Sequence, residues 1–413
     1  MLRYGFAVWG MMLAWGILLS ACVSLPIAGL LATLILLVVL MVDSHRRKWS
    51  VLFFSFSLLF FLLLGWLRGH QGDLQLLPSS LHDKAYAVSE SVRFRLLDLG
   101  LPTESIALLD ALLLGRREGL SPELRHLYAR VGASHVLALS GLHLSILFGL
   151  VNMWMLRVLT HPWLRYALGV LTLLLLWGYA LITGFSPSLT RASVMMSILL
   201  LSQMRLSGMS GWHTLGLAAS CMLFFAPSML WNIGFQLSFA AVAGILLFYP
   251  PLLALLPLPH GLIRWLGQAF GVSLAAQLGT LPLLVYYFHS FSLYSILFSP
   301  FYILGVALLL YCSLWVLAFG SSFGFLIVVL VSVLHAFMQF TSALPGAFWE
   351  GIFLSESQVI LLYLGLLSLL PPLHAVHHVS GYAPGYRRAS FFRRWPYLTA
   401  SILCFLLCYL INP

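Results

Sequence analysis

Apolar runs of bilayer-spanning length follow one another along almost the whole chain, and the charge needed to cover a water-facing surface is missing. Only 8% of the 413 residues are charged and 61% are apolar, where a soluble domain carries about 25% charged residues. Mean hydropathy is +1.00. A helical span needs about 20 apolar residues, and by that ruler the chain holds roughly thirteen. A soluble protein is excluded. The expected fold is all-α, a polytopic integral membrane bundle with short amphipathic helices at the interface.

Charge placement adds a second bound. There are 21 Lys+Arg against 11 Asp+Glu, a net +10. Such an excess suits cytoplasmic loops facing anionic lipid, and it also suits an anionic substrate. Eight of the 11 acids lie between Asp73 and Glu123, and after Arg130 only Glu350 and Glu356 remain against nine arginines. A membrane-embedded region almost without acid argues against a carboxylate-based cation pump. Cys22, Cys221, Cys312, Cys404 and Cys408 all fall in apolar stretches without a Cys-x-x-Cys pair, so neither a metal site nor a disulfide framework is expected. No cofactor is expected either.

Arg3 and Leu19-Ser20-Ala21-Cys22 mimic a lipoprotein signal. The apolar run Ile27 to Val42 follows at once, so a two-span hairpin turning at Ser24-Leu25-Pro26 is the better reading. The basic loop His45-Arg46-Arg47-Lys48 belongs in the cytoplasm by the positive-inside rule. That puts the N-terminus inside and sends the span Val51 to Leu67 outward. Three regions result: transmembrane helices over 1–67, external interfacial helices over 68–134, and a membrane-embedded domain over 135–413. Arg157 and Arg165, Arg205, Arg264, and Arg387-Arg388 with Arg393-Arg394 all fall on internal loops under this alternation, with Glu350 and Glu356 outside.

Within the external region, Ser121-Pro122 reads as an N-cap followed by proline at the first helical position. Leu124, Leu127, Tyr128 and Val131 then share a face, and Gly132 ends the helix. Glu104 to Leu114 reads as a similar helix, with Glu104 and Asp110 turned away from Ile106, Leu109 and Leu113. Further on, Gly267, Gly271, Ala275 and Gly279 recur every fourth residue before Pro282. Small residues at that spacing permit close helix packing. With Gln277 and Thr280 beside the proline, the segment Gly267 to His289 is expected to be discontinuous, breaking near Gly279 to Pro282 and facing a polar cavity.

Polar residues inside apolar spans are the functional candidates. His135, Ser140 and His143 head one span, and Ser140 and His143 share a helical face. Three readings of them stand together: interhelical hydrogen bonds, a hydrophilic path, or a nucleophilic serine activated by histidine. The turn Thr183 to Ser188 delivers Arg191 into the next span, as a phosphate partner or a snorkelling residue. Asn232 and Gln236 lie one turn apart, and Gln277 and Thr280 complete the set. The last expectation is that His135, Ser140, His143, Arg191 and Gln236 converge on one internal, metal-free path.

The order of several blocks is more specific than any one of them. Ala111 to Arg116, Leu120 to Leu124, Gly132 to His143, Gly184-Phe185 to Arg191-Ala192, Asn232 to Phe239, and Ala275 to Pro282 with Phe288-His289 resemble the competence domain of ComEC-type DNA-uptake channels. The resemblance runs over about 103–345. It implies an inner-membrane, multi-pass channel that passes single-stranded DNA into the cytoplasm during natural transformation. Partners would then be the strand, membrane lipid, and separate nuclease, DNA-receptor and cytoplasmic motor proteins. Three features depart from the family. Gly69 to Asp83 is too short for the external OB-fold domain. His374-Ala375-Val376-His377-His378 does not supply the metal motif of the metallo-β-lactamase-like domain. Phe298-Ser299-Pro300 stands where asparagine is more usual. No Walker A pattern occurs, so the chain is not expected to power transport with ATP, and as a channel with an external energy source it is expected to be no enzyme. The alternatives are a transporter or flippase for another anionic solute or lipid, and an intramembrane serine hydrolase built on Ser140.

Overall fold

The computed structural model describes residues 11–15, 17, 79–137, 139, 141, 143–149, 162–204, 210–255, 261–320 and 323–368. In chain order the elements are α1 (Ser79–Asp98), α2 (Thr103–Leu114), α3 (Pro122–Arg130), α4 (Ser134–Leu137), α5 (Pro162–Ile182), α6 (Pro187–Met204), α7 (Gly211–Phe225), a 3₁₀ turn (Pro227–Trp231), α8 (Ile233–Leu255), α9 (Leu262–Phe288), β1 (Ser290–Ser292), α10 (Ser295–Phe319), α11 (Gly324–Ser342), β2 (Phe348–Glu350) and α12 (Glu356–Ser368). The N-terminal hairpin, the His45 to Lys48 loop, Ser140 and the arginines from Arg387 onward lie outside the described residues. Among the described residues the architecture is helical apart from one antiparallel pair, β1 with β2, that registers Phe291 against Trp349. Among the described residues, four helices are long and apolar enough to cross a membrane: Ile233–Ala254, Ile263–Phe288, Ser295–Phe319 and Gly324–Ser342. Leu308, Val329 and Val333 stand exposed on them, an outward apolar surface that suits lipid and not water.

The chain divides into two compact units, one drawn from Met1–Ser89 and Leu144–Gln236, the other from Glu90–His143 and Leu237–Pro413. In the second unit the local signals form as expected. The Ser121 side chain accepts from the Leu124 N–H at 3.2 Å, and Pro122 opens α3. At its far end Gly132 takes φ +73°. Its N–H donates to the Ala129 carbonyl at 2.9 Å, and that of Ala133 to Tyr128 at 2.8 Å, a Schellman closure. A Cβ on Gly132 would also lie 2.6 Å from Ser295 Cβ, so glycine is required twice there. Helix α2 differs from its expected amphipathic form. Leu108 to Leu114 are all buried, Asp110 included at 8% exposure, because α2 packs against α10 and α11. Arg93 meets Asp110, Nε to Oδ2 at 3.5 Å, while the buried Oδ1 has no hydrogen-bond partner among the described residues.

Helix α9 corrects the expected break. It runs unbroken from Leu262 through Pro282 to Phe288. The small-residue stripe packs backbone on backbone with α8. A Cβ on Gly244 would lie 2.6 Å from the Ala275 carbonyl oxygen, and one on Gly279 would meet the Ala240 carbonyl oxygen. Pro282 has no N–H for the carbonyl one turn back. Tyr363 of α12 donates its hydroxyl to the neighbouring Gly279 carbonyl at 2.9 Å. Close packing and an outside donor hold the turn that the proline weakens. Beyond it, Phe337 of α11 gathers Phe298, Phe301 and Tyr302 of α10 around its ring, and Tyr302 bonds Thr341 at 2.7 Å.

In the first unit, α6 packs between α5 and α7. The α5–α6 turn closes through Gly184, with φ +68°, and the Phe185 N–H reaches the Ala180 carbonyl at 2.8 Å. Pro187 then starts α6.

Candidate functional site

Arg191 is the fifth residue of α6 and is only 4% exposed. A guanidinium carries five N–H donors and keeps its charge at any ordinary pH. Among the described residues, none of these donors has an acceptor: no carboxylate lies within salt-bridge distance, and the buried Nε has no hydrogen-bond partner. The sequence dictates much of this, since no Asp or Glu occurs between Glu123 and Glu350. A buried cation without a partner is costly.

The Arg191 fork lies over the first turn of α8. A Cβ on Gly234 would sit 3.2 Å from one terminal nitrogen of Arg191, 3.4 Å from the other and 3.1 Å from Asn232 Oδ1. Glycine therefore makes the room that the guanidinium occupies. Asn232 caps α8, its Oδ1 accepting from the Phe235 N–H at 3.2 Å. Gln236 donates its side-chain amide to the Leu230 carbonyl at 3.0 Å, tying α8 to the 3₁₀ turn before it. The start of a helix carries about half a positive charge and unbonded N–H groups. Arg191 thus adds a full positive charge to a partial one of the same sign. Two like charges in one buried corner call for an anion.

The remaining candidates belong to the second unit. His135 lies on α4, exposed, with Nδ1 3.1 Å from the Gly132 carbonyl oxygen. His143 is fully buried. Gln277 donates to Ser273 Oγ at 3.3 Å and accepts from Ser295 Oγ at 3.2 Å, which links α9 to α10. Ser295 also packs on Gly132. Thr280 turns back onto its own helix, donating to Ala276 at 3.1 Å. Arg191, Asn232 and Gln236 are thus brought together in one unit, and in the other Gln277 is bonded to Ser295 while His135 meets the Gly132 carbonyl. Among the described residues, no group of three or more His, Cys, Asp or Glu could hold a metal ion.

Sequence reasoning missed Gly234 and Ser295. A signal for Gly234 existed: glycine weakens a helix, and this one has an ordinary helical φ, so only close approach explains it. Nothing in the sequence marked Ser295 among the many serines.

Comparison with known proteins now bears on the chain. A family model described as competence protein matches residues 112–375. The chain is 33% identical over 233 residues to ComE operon protein 3 of Bacillus subtilis, covering 54% of this chain and 28% of that one. It is 29% identical over 170 residues to Recombination protein 2 of Haemophilus influenzae, covering 40% and 20%. With Competence protein ComA of Neisseria gonorrhoeae it shares 29% over 150 residues, covering 35% and 21%. The match therefore spans less than a third of each of these relatives. No solved structure matches the chain. The matched region takes in α3 to α12 and the Arg191 corner, and the chain belongs to the competence protein family.

Proposed function

We propose that the chain is a channel of the cytoplasmic membrane through which single-stranded DNA enters during natural transformation. One observation carries the reading: the family match over 112–375 encloses the four long spanning helices found among the described residues and the Arg191 corner. The names of the relatives support a role in competence. A strand moving through hydrocarbon needs a path with few acids, since these would repel its phosphates. The gap between Glu123 and Glu350 supplies that condition. The channel does no chemistry of its own, and separate nuclease, receptor and motor proteins work with it. It comprises about thirteen membrane segments, with the N-terminus in the cytoplasm and residues 68–134 outside.

Deleting the gene and restoring it in trans tests the function. Transformation should fall to background on deletion and recover on complementation. Unchanged transformation in the deletion strain would move the reading to transport of another anionic solute. Cysteine labelling at Glu118 and Arg388 should report opposite faces of the membrane, and the same face would overturn the topology.

A further inference from the structure

We propose that Arg191 and the first turn of α8 form a site for one phosphodiester group of the DNA strand, with Gly234 as its floor. The inference rests on the channel reading and gives it a contact point. Three independent features define the site. The Arg191 side chain is buried, aimed at the helix start, and without an acceptor among the described residues. Helix α8 runs for 23 residues, long enough to carry a full dipole. Asn232 caps the N–H of Phe235, and among the described residues no hydrogen bond to the N–H groups of Ile233 or Gly234 accompanies it.

A phosphodiester suits this arrangement better than a carboxylate from the chain. It brings one negative charge and two unesterified oxygens, which match the fork of a guanidinium. One oxygen can take the fork while the other faces the helix start. The group carries no base identity, so a site of this kind holds any sequence. A single contact of moderate strength also releases its phosphate, as conduction requires.

The test uses the full chain in phosphatidylcholine nanodiscs with a fluorescein-labelled oligothymidylate, read by anisotropy across a salt series. Arg191→Gln should weaken binding roughly ten- to a hundred-fold. It should also flatten the slope of log affinity against log salt by about 0.7, the value for one phosphate contact on a single strand. Arg191→Lys should keep the slope and lose part of the affinity. Gly234→Ala should weaken binding with the charge intact, and it favours the helix, so unfolding does not account for the loss. Wild-type binding with Arg191→Gln unchanged would overturn the site and leave the channel reading standing. No binding by the wild-type chain would overturn both. A repeat in phosphatidylglycerol nanodiscs separates the sources of phosphate: if that lipid abolishes an Arg191-dependent signal, the corner holds a lipid headgroup and the proposal fails.

Discussion

Gly279 and Gly234 each stand where a helix has given up a side chain, but they make room for different things. Gly279 lets two backbones meet. A Cβ there would meet the Ala240 carbonyl oxygen and lie 2.8 Å from Gly244 Cα. A polar group at that crossing finds its partner across helices: the Tyr363 hydroxyl donates to the Gly279 carbonyl. Gly234 lets a helix start meet a guanidinium that has no acceptor among the described residues. One glycine completes a packed interface, and the other makes room for a buried charge that no described residue neutralises. In a membrane the first arrangement is structural glue. The second is a functional site by default.

Breaking the packed crossing gives the largest effect. Gly279→Leu forces a side chain into the α8 backbone, and folded protein should be lost from detergent extracts analysed by size exclusion. Gly244→Ala adds one carbon 2.6 Å from the Ala275 carbonyl oxygen. It should cost about 1–3 kcal/mol, seen as a lower thermal midpoint. Tyr363→Phe removes a single hydrogen bond, about 0.5–1.5 kcal/mol. A Tyr363→Phe midpoint equal to wild type would mean that the packing alone carries α9 past Pro282.

Gly234→Ala sharpens the contrast. It should leave the midpoint unchanged or raise it slightly, because alanine favours the helix. A loss as large as that of Gly244→Ala would make Gly234 a packing residue too.

The smallest effect is a pH dependence in the second unit. Burial raises the Asp110 carboxyl above its ordinary value, against the pull of Arg93 and Arg116. A carboxyl raised on folding binds its proton more tightly in the folded state. Its contribution to stability is therefore full below the unfolded value of about 4 and is lost as pH rises through the raised folded value. Asp110→Asn should flatten the decline in midpoint as pH rises above about 4. Equal slopes for the two proteins would mean that Arg93 keeps Asp110 ionised throughout.

The sequence carried the helices further than the site. Ser121-Pro122 and Gly132 mark α3 because capping and a left-handed terminus are local physics, readable from a few neighbours. Asp110 misled the reading of α2, since its burial depends on α10 and α11 packing over that helix, far along the chain. Pro282 misled it for the same reason: neither the Ala240 and Gly244 backbone nor the Tyr363 hydroxyl is a sequence neighbour. At the candidate site, Arg191 was visible as a lone charge in an apolar span. The pairing of Arg191 with Gly234 was not, because it joins residues 43 positions apart (234 − 191) that only the fold brings together.

The most direct measurement of the central claim is entry of radiolabelled DNA into the cytoplasm, scored as nuclease-resistant label. The deletion strain would carry wild type, Arg191→Lys or Arg191→Gln at equal membrane abundance. An unneutralised arginine that contacts the strand predicts wild-type entry first, Arg191→Lys intermediate, and Arg191→Gln lower than wild type by roughly tenfold or more. Entry at the wild-type rate in both variants would contradict it.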